Sequence, residues 1–297
     1  MVTYKTVGGR IFKIVNIVFL GSLALLSLLP IINILAVSFS SGQAAAAGKV
    51  FLSPVDFNWS AYKFVMGNPI FWSAFWVSIK RVFIGVPVNL FLIIITAYPL
   101  SLSNNELKGR SFFSWFFMFS MLFSGGLIPL YLTIQMTGLI DSFWSLIVPS
   151  AVPVYYVIIM INFYRQVPKE LVEAAEIDGA GTFRILFKIM VPLVKPAIAT
   201  IILLCFILHW NSWFDGLLYI GQQNKQPLQS YLQALLARSI DVAALARNPE
   251  QWKVMQFVSE RTVKSAQIFI ATIPIMVIYP IAQNYFIKGG MLGAVKG

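Results

Sequence analysis

Two stretches of this sequence gather side chains able to bind or recognise. The first reads Gln166-Val167-Pro168-Lys169-Glu170-Leu171-Val172-Glu173-Ala174-Ala175-Glu176-Ile177-Asp178-Gly179-Ala180-Gly181. Pro168 stands where a helix starts. Glu170, Glu173 and Glu176 recur every third residue, and carboxylates near a helix N-terminus complement its dipole. Leu171, Ala174, Ala175 and Ile177 supply a small apolar side, and Gly179 with Gly181 predicts a left-handed stop. The spacing predicts a two-turn amphipathic helix. Two turns are marginal alone in water. The helix therefore either seals the base of a bundle or lies in a cleft of a partner, and these residues alone leave both open.

The second stretch is His209-Trp210-Asn211-Ser212-Trp213-Phe214-Asp215. Aromatic faces beside amide and carboxylate groups suit sugar rings, which offer C–H faces and hydroxyls. Trp210, Asn211, Trp213 and Asp215 are the candidates for lining a pathway, and an interfacial aromatic belt is the alternative. His209 reads as a bundle hydrogen-bonder rather than a proton relay, and Cys205 as a small packing residue. With one His and one Cys in the chain, neither a His-rich metal site, a Cys-based metal cluster nor an internal disulfide framework is expected. The phosphate-loop pattern Gly-x-x-x-x-Gly-Lys-Ser/Thr is missing, so ATP hydrolysis is not expected of this chain.

The elements that position these stretches are membrane helices. Of 297 residues 58% are hydrophobic and only 11% charged, with a mean hydropathy of +0.78. Soluble domains carry roughly 25% charged residues, too many for this chain to match, whereas a bilayer accepts apolar surface. A bilayer core of about 30 Å takes about 20 apolar residues in helix. Six spans are predicted, over about 14–38, 82–102, 112–135, 142–164, 193–220 and 267–287, with a polar loop at 165–192. The first is too long for a signal-peptide core and reads as a retained anchor.

Short loops rich in Lys and Arg mark the cytoplasmic side. Lys5, Arg10 and Lys13 precede span one, Lys108 and Arg110 join spans two and three, and Lys288 and Lys296 follow span six. Arg165, Lys169, Arg184, Lys188 and Lys195 crowd the loop between spans four and five. Both termini and the 165–192 loop therefore face the cytoplasm. Topology uses twelve of the 22 basic residues behind the +11 net charge, which makes nucleic acid a poor partner. Residues 1–13 form a cytoplasmic N-terminus ahead of one transmembrane domain, 14–297. Pro30, Pro87, Pro99, Pro129, Pro149, Pro153, Pro274 and Pro280 lie in or at the ends of spans, as packing kinks or as gate hinges near Ser124-Gly125-Gly126.

Glu173-Ala174-Ala175, Gly179, Ile189 and Pro192 match the loop pattern of permease subunits of binding-protein-dependent ABC importers, with Val191 in place of the usual leucine. Ile128-Pro129-Leu130-Tyr131, Gly138-Leu139-Ile140-Asp141-Ser142 and Trp210-Asn211 extend the match. Over about residues 70–290 the chain resembles the carbohydrate-type permeases, similar to the maltose importer's smaller permease and, in finer detail, to alginate- and pectin-type importers. The resemblance implies an all-α, six-span type I importer permease of the bacterial inner membrane with a cytoplasmic coupling helix. It implies that Glu173, Ala174, Ala175, Glu176, Asp178 and Gly179 couple to an ATPase, and that Tyr131 joins the pathway candidates. The implied partners are a second permease, two cytoplasmic ATPase subunits that bind the ATP and Mg, an extracytoplasmic solute-binding protein and an oligosaccharide, surrounded by lipid.

Rival classes make different demands. A stand-alone secondary transporter should show repeated halves, broken helices or buried charge pairs, and a membrane-embedded enzyme should cluster His, Asp and Glu in its spans. Lys80 and Arg81 lie at the outer end of span two, where they either snorkel to headgroups or attract an anionic substrate. The polar segment 221–264, with Arg238, Arg247, Lys253 and Arg261, is expected to meet the solute-binding protein or to be a plain solvated loop.

Overall fold

The computed structural model describes residues 7–237 and 257–294, and of 281–294 only the helical backbone. Arg238, Arg247 and Lys253, with the rest of 238–256 in the expected docking segment, lie outside the described residues, as do Lys5 and Lys296. Regular structure among the described residues is helical throughout. Three helices are long and apolar enough to cross a membrane, and three sharply bent pairs bring the number of spans to six when each pair counts as one. The chain divides into two compact units, Met1–Trp72 with Leu235–Thr272 and Ser73–Ala234 with Ile273–Gly297.

In the first unit, α1 (Val7–Ser38) runs for 32 residues, about 48 Å at 1.5 Å per residue. It buries side chains only at its C-terminal end, Ala36 to Ser38. Its exposed Ile, Leu, Val and Phe suit lipid rather than water. Below it Ala36, Val37, Ala44, Ala45 and Val50 make a small core. Ser41 caps α2 (Gly42–Ala46) by accepting from the Ala44 N–H. Phe39 packs against Phe57, Trp59 and Tyr62, the last of these on α3 (Ser60–Met66).

Helix α4 (Pro69–Ser101) begins at Pro69, not near Val82. Two local signals start it there. The Asn68 side chain accepts from the N–H groups of Ile70 and Phe71 at 3.0 and 3.3 Å, an N-cap, and Pro69 stands at the first helical position, where its missing N–H costs nothing. The hydropathy boundary lay at Lys80-Arg81, but Arg81 finds partners, so the helix runs on through it.

Helices α5 (Arg110–Leu122) and α6 (Leu127–Met136) replace a straight third span and meet at 113°. The bend falls at Gly125-Gly126, where Gly126 holds φ +89° and ψ 179°, a conformation that needs glycine. Span four is two short 3₁₀ turns, Phe143–Leu146 and Val148–Ser150, bent by 47° from α7 (Val154–Tyr164). Pro149 lies in the second turn and Pro153 caps α7.

After α8 (Lys169–Ile177), helix α9 (Thr182–Leu193) turns 84° into α10 (Lys195–Asn211). Pro192 and Pro196 flank that corner, each unable to donate to the helical ladder, and Leu186–Met190 widens into a π turn just before it. Span five ends at Asn211, breaks, and resumes as α11 (Phe214–Tyr219). The remaining helices are α12 (Leu228–Leu236) and α13 (Glu260–Ala294). Through Pro30, Pro87, Pro99, Pro274 and Pro280 the helices continue unbroken.

The core of the second unit joins the C-terminal half of α4 (Ile93, Ala97, Tyr98) to α7 (Val157, Met160, Tyr164), α9 (Ile185, Leu186) and α10 (Ala197, Ile201, Cys205). Helix α4 comes so close to α10 that Gly85 faces the His209 ring, and a Cβ there would run into it. Both ring nitrogens of His209 are engaged, so the ring has no room to yield. Gly85→Ala is therefore expected to destabilise by about 1–3 kcal/mol, read as a lower Tm of the purified protein in detergent. Gly21→Ala, with nothing within 4 Å of the new Cβ, should leave Tm unchanged.

Candidate functional site

Helix α8 has the amphipathic form expected, with Pro168 as its N-cap and Glu170 in its first turn. Val172 and Ala175 pack inward against the core of the second unit. Glu173, Ala174, Glu176, Asp178 and Gly179 are exposed, and so are two apolar side chains, Leu171 and Ile177, the latter 87% exposed. Gly179, at φ +78°, supplies the left-handed stop. Its N–H donates to Glu176 O at 3.0 Å, and the Ala180 N–H donates to Ala175 O at 2.9 Å, the double closure of a Schellman cap. Gly181, expected to share that role, is instead extended at φ −71° and starts α9.

Behind α8 lies a cavity of about 390 Å³ lined by Tyr98, Glu106, Arg110, Tyr164, Arg165 and Glu173 among others. Two arginines hold it against the end of α4. Arg110 Nε donates to Leu100 O at 3.0 Å, and Arg165 donates to Ser101 O and Leu100 O, each at 3.4 Å. These carbonyls belong to the last turn of α4 and lack helical partners, and cations suit that end of the dipole. Arg165 stands just ahead of α8, so α8 is tied to α4 through it.

The loop between α4 and α5 is ordered by a reciprocal cap. Glu106 Oε2 accepts from the Ser103 N–H at 2.5 Å while the Glu106 N–H donates to Ser103 Oγ at 3.4 Å. Hydrogen bonds to the carboxylate from the Ser103 backbone and side chain hold the Glu106 carboxyl below its ordinary value of 4.5. Burial opposes this, and the Lys169 charge adds to the lowering.

At the opposite end of span five the break is held by a buried polar network. Arg81, 1% exposed, pairs with Asp215 through both terminal nitrogens, Nη2 to Oδ2 and Nη1 to Oδ1, the latter at 3.2 Å. Nη1 also donates to Ser212 O, and Nε donates to His209 Nδ1, both at 3.4 Å. Since Nδ1 accepts, the His209 proton sits on Nε2, which donates to Asn89 Oδ1 at 2.6 Å. Asn89 in turn donates to Ser150 O and Ala151 O at 2.6 and 3.1 Å. His209 is thus a bundle hydrogen-bonder. Asp215 Oδ1 also accepts from Ser212 Oγ and from the Gly216 N–H at 2.9 and 2.8 Å, which starts α11. A cavity of about 290 Å³ adjoins this break, lined by Ser145, Ser150, Ser212, Asp215 and Tyr219 among others.

The pathway candidates separate here. Asp215 lines the cavity, and Tyr131 reaches its wall by stacking on Tyr219 at 6.4 Å. Asn211 and Trp213 are exposed. Trp210 is 1% exposed, parallel to Phe206 at 6.0 Å and edge-on to Phe75 at 6.1 Å. Its ring packs the bundle, and in this conformation neither face is open to a sugar.

Arg81 corrects both readings made from sequence. It neither snorkels nor faces outward, because a bidentate carboxylate and an imidazole acceptor satisfy it inside the fold. Lys80 is exposed, its Nζ 4.6 Å from the Phe143 ring centre. Asn89, Ser145 and Ser150 were missed. The available signal was that Arg81 and Asp215 are opposite charges in otherwise apolar spans, which usually pair. Broken helices and a buried charge pair, expected only of a stand-alone transporter, are present here as well.

This architecture defines a class. Residues 7–289 match the family of binding-protein-dependent transport system inner membrane components, and the chain belongs to that family. It is a multi-pass permease subunit of the ABC-importer class. Over 294 residues it is 40% identical to Protein LplC of Bacillus subtilis, covering 99% of this chain and 98% of that protein. Over 289 residues it is 36% identical to the Bacillus subtilis polygalacturonan/rhamnogalacturonan transport system permease protein YtcP, covering 97% and 99% respectively. It is also similar to a chain in the solved crystal structure of a bacterial ABC transporter involved in the import of the acidic polysaccharide alginate. That likeness has a TM-score of 0.85 and 36% identity, and covers 96% of this chain and all of the other. The family membership outweighs the stand-alone alternative.

The lowered Glu106 value carries a pH dependence. Its contribution to loop order is full above the ordinary glutamate value of 4.5 and is lost as pH falls through the lowered one. Protection of the Ser103 amide against exchange, taken relative to its intrinsic rate at each pH, should therefore hold down to about pH 4.5 and fall below it, and Glu106→Gln should remove that loss of protection.

Proposed function

We propose that this chain is one permease of a heteromeric importer, docked by α8 onto a cytoplasmic ATPase subunit and moving an acidic oligosaccharide delivered by an extracytoplasmic binding protein. The observation that carries the docking is the exposed face of α8. Leu171 and Ile177 stand in the open beside Glu173, Glu176 and Asp178, on a loop whose basic residues favour the cytoplasmic side. A sealing helix would turn those apolar groups inward, whereas a docking helix offers them to a cleft.

In this reading Glu173 gives charge-assisted hydrogen bonds to the ATPase, Ala174 and Ala175 permit close approach, and Gly179 sets the exit of the chain. ATP and Mg belong to two ATPase subunits, and a second permease completes the pathway. Closure of the ATPases moves α8, and through Arg165 the end of α4. Both termini lie in the cytoplasm. The acidic cargo is supported by the pectic and alginate systems of the relatives, at 36% identity over nearly the whole chain. Asp215, Tyr131, Asn211 and Trp213 are the side chains of this subunit nearest the cargo.

The test is uptake in proteoliposomes holding the assembled complex and its binding protein. Glu173→Lys reverses a charge on the docking face. Gly179→Asp puts a side chain at φ +78°, at a cost of about 1–2 kcal/mol. Either variant is expected to insert with its partner permease yet lose at least about tenfold in uptake, the loss expected for a charge-assisted pair worth about 1.5–3 kcal/mol. Normal uptake by both overturns the docking.

A further inference from the structure

The cavity at the break of span five has one carboxylate in its wall. Leucines, Pro149 and Phe214 make most of the wall, Ser145, Ser150 and Ser212 add hydroxyls that donate within the fold, and Asp215 brings the charge. The Asp215 side chain is 22% exposed while that of Arg81, its partner, is 2% exposed. The anion thus faces the opening and the cation is hidden behind it. Arg81 cannot turn away, because Nε is held by His209 Nδ1 and Nη1 by Ser212 O as well as by Asp215. His209 is itself fixed through Asn89. The structure also accounts for a carboxylate at this position. Asp215 receives the Gly216 N–H and the Ser212 hydroxyl and so holds the restart of the helix. That anchoring brings a negative charge to the cavity wall, and the fold must offset it.

We propose that Arg81 is a specificity-determining residue, which cancels the charge of Asp215 so that the cavity admits an anionic sugar without repulsion. The proposal rests on the acidic-oligosaccharide reading of the cargo. Like charges a few ångströms apart in a partly dry site repel strongly, so an unpaired carboxylate here would act against uronates and leave neutral sugars untouched. The fork of an arginine suits this task better than lysine, because it meets both carboxylate oxygens at once.

The experiment uses the assembled complex in proteoliposomes with saturating binding protein. The probes are trigalacturonate and its partially methyl-esterified form, with maltotriose as the neutral control. The readout is the ratio of uptake between the fully acidic and the esterified trimer. Against wild type, Arg81→Gln leaves the carboxylate bare and should lower the ratio about tenfold, and Asp215→Asn leaves the cation and should raise it. The double variant Arg81→Gln/Asp215→Asn is neutral again and should return to within about threefold of wild type, since the added repulsion is gone. Where Arg81→Gln does not assemble with its partners, the comparison of Asp215→Asn with the double variant carries the same test.

Equal ratios in every assembled variant, with wild type transporting trigalacturonate, overturn the role of Arg81 alone. A double variant whose ratio stays as low as that of Arg81→Gln shows that Arg81 acts structurally, and also overturns it. A wild-type complex that takes up maltotriose and neither uronate overturns the proposed cargo, and the charge role with it.

Discussion

A guanidinium sealed inside an apolar bundle sets the terms for the second unit. Arg81 is 1% exposed, and a buried cation is tolerated only when a counter-charge and hydrogen-bond acceptors surround it. Those acceptors come from the break in span five, where Asp215, the Ser212 carbonyl and His209 converge. The break is thus fixed in space by a residue on α4. Its neighbours extend the same logic. Asn89 on α4 takes up the carbonyls left free where span four is broken at Ser150 and Ala151, and Ser78 on α4 accepts the Leu228 N–H as α12 begins. In the membrane there is no water to satisfy interrupted backbone, and a continuous helix carrying polar side chains at the right heights performs that service.

The C-terminal end of α4 is arranged the opposite way. There α4 supplies the unsatisfied carbonyls, and Arg110 and Arg165 from neighbouring elements supply the donors. Arg165 lies between α7 and α8 and bonds the end of α4, and α4 carries Asn89 and Arg81 at its other contacts. Between these polar ends the helix packs through Ile93, Ala97 and Tyr98, a close-packed interior that transmits a shift instead of absorbing it. One continuous helix therefore runs from the neighbourhood of α8 to the broken span and its cavity.

Legibility in the sequence varied with the range of the forces involved. Helix α8 was readable in detail, because Pro168, the glutamates and Gly179 act within a turn or two of themselves, and its Schellman cap needs only Gly179 and the backbone. The six apolar segments were readable for the same reason, since hydrophobic length is a local property. Their interiors were not. The 113° turn at Gly125-Gly126 and the 84° turn at Val194 replace straight spans, because a proline or glycine pair permits a bend without dictating one. Trp210 and Arg81 were misjudged alike: one was given to a ligand and the other to the interface or a substrate, and both are satisfied by packing partners over 120 residues away in sequence.

Composition and periodicity by themselves determined that the chain is a polytopic helical membrane protein, with a short amphipathic helix in one of its basic loops. The pattern of Glu173, Ala174, Ala175, Gly179, Ile189 and Pro192 carried the resemblance to its family. Tertiary structure alone decided which ionisable residues face a cavity and which are hidden, and where each span breaks. The physical reason is that burial and charge pairing are sums over elements distant in sequence. The identity of Arg81 states that a positive charge is present. Only the meeting of α4 with the break between α10 and α11 states that Asp215 cancels it.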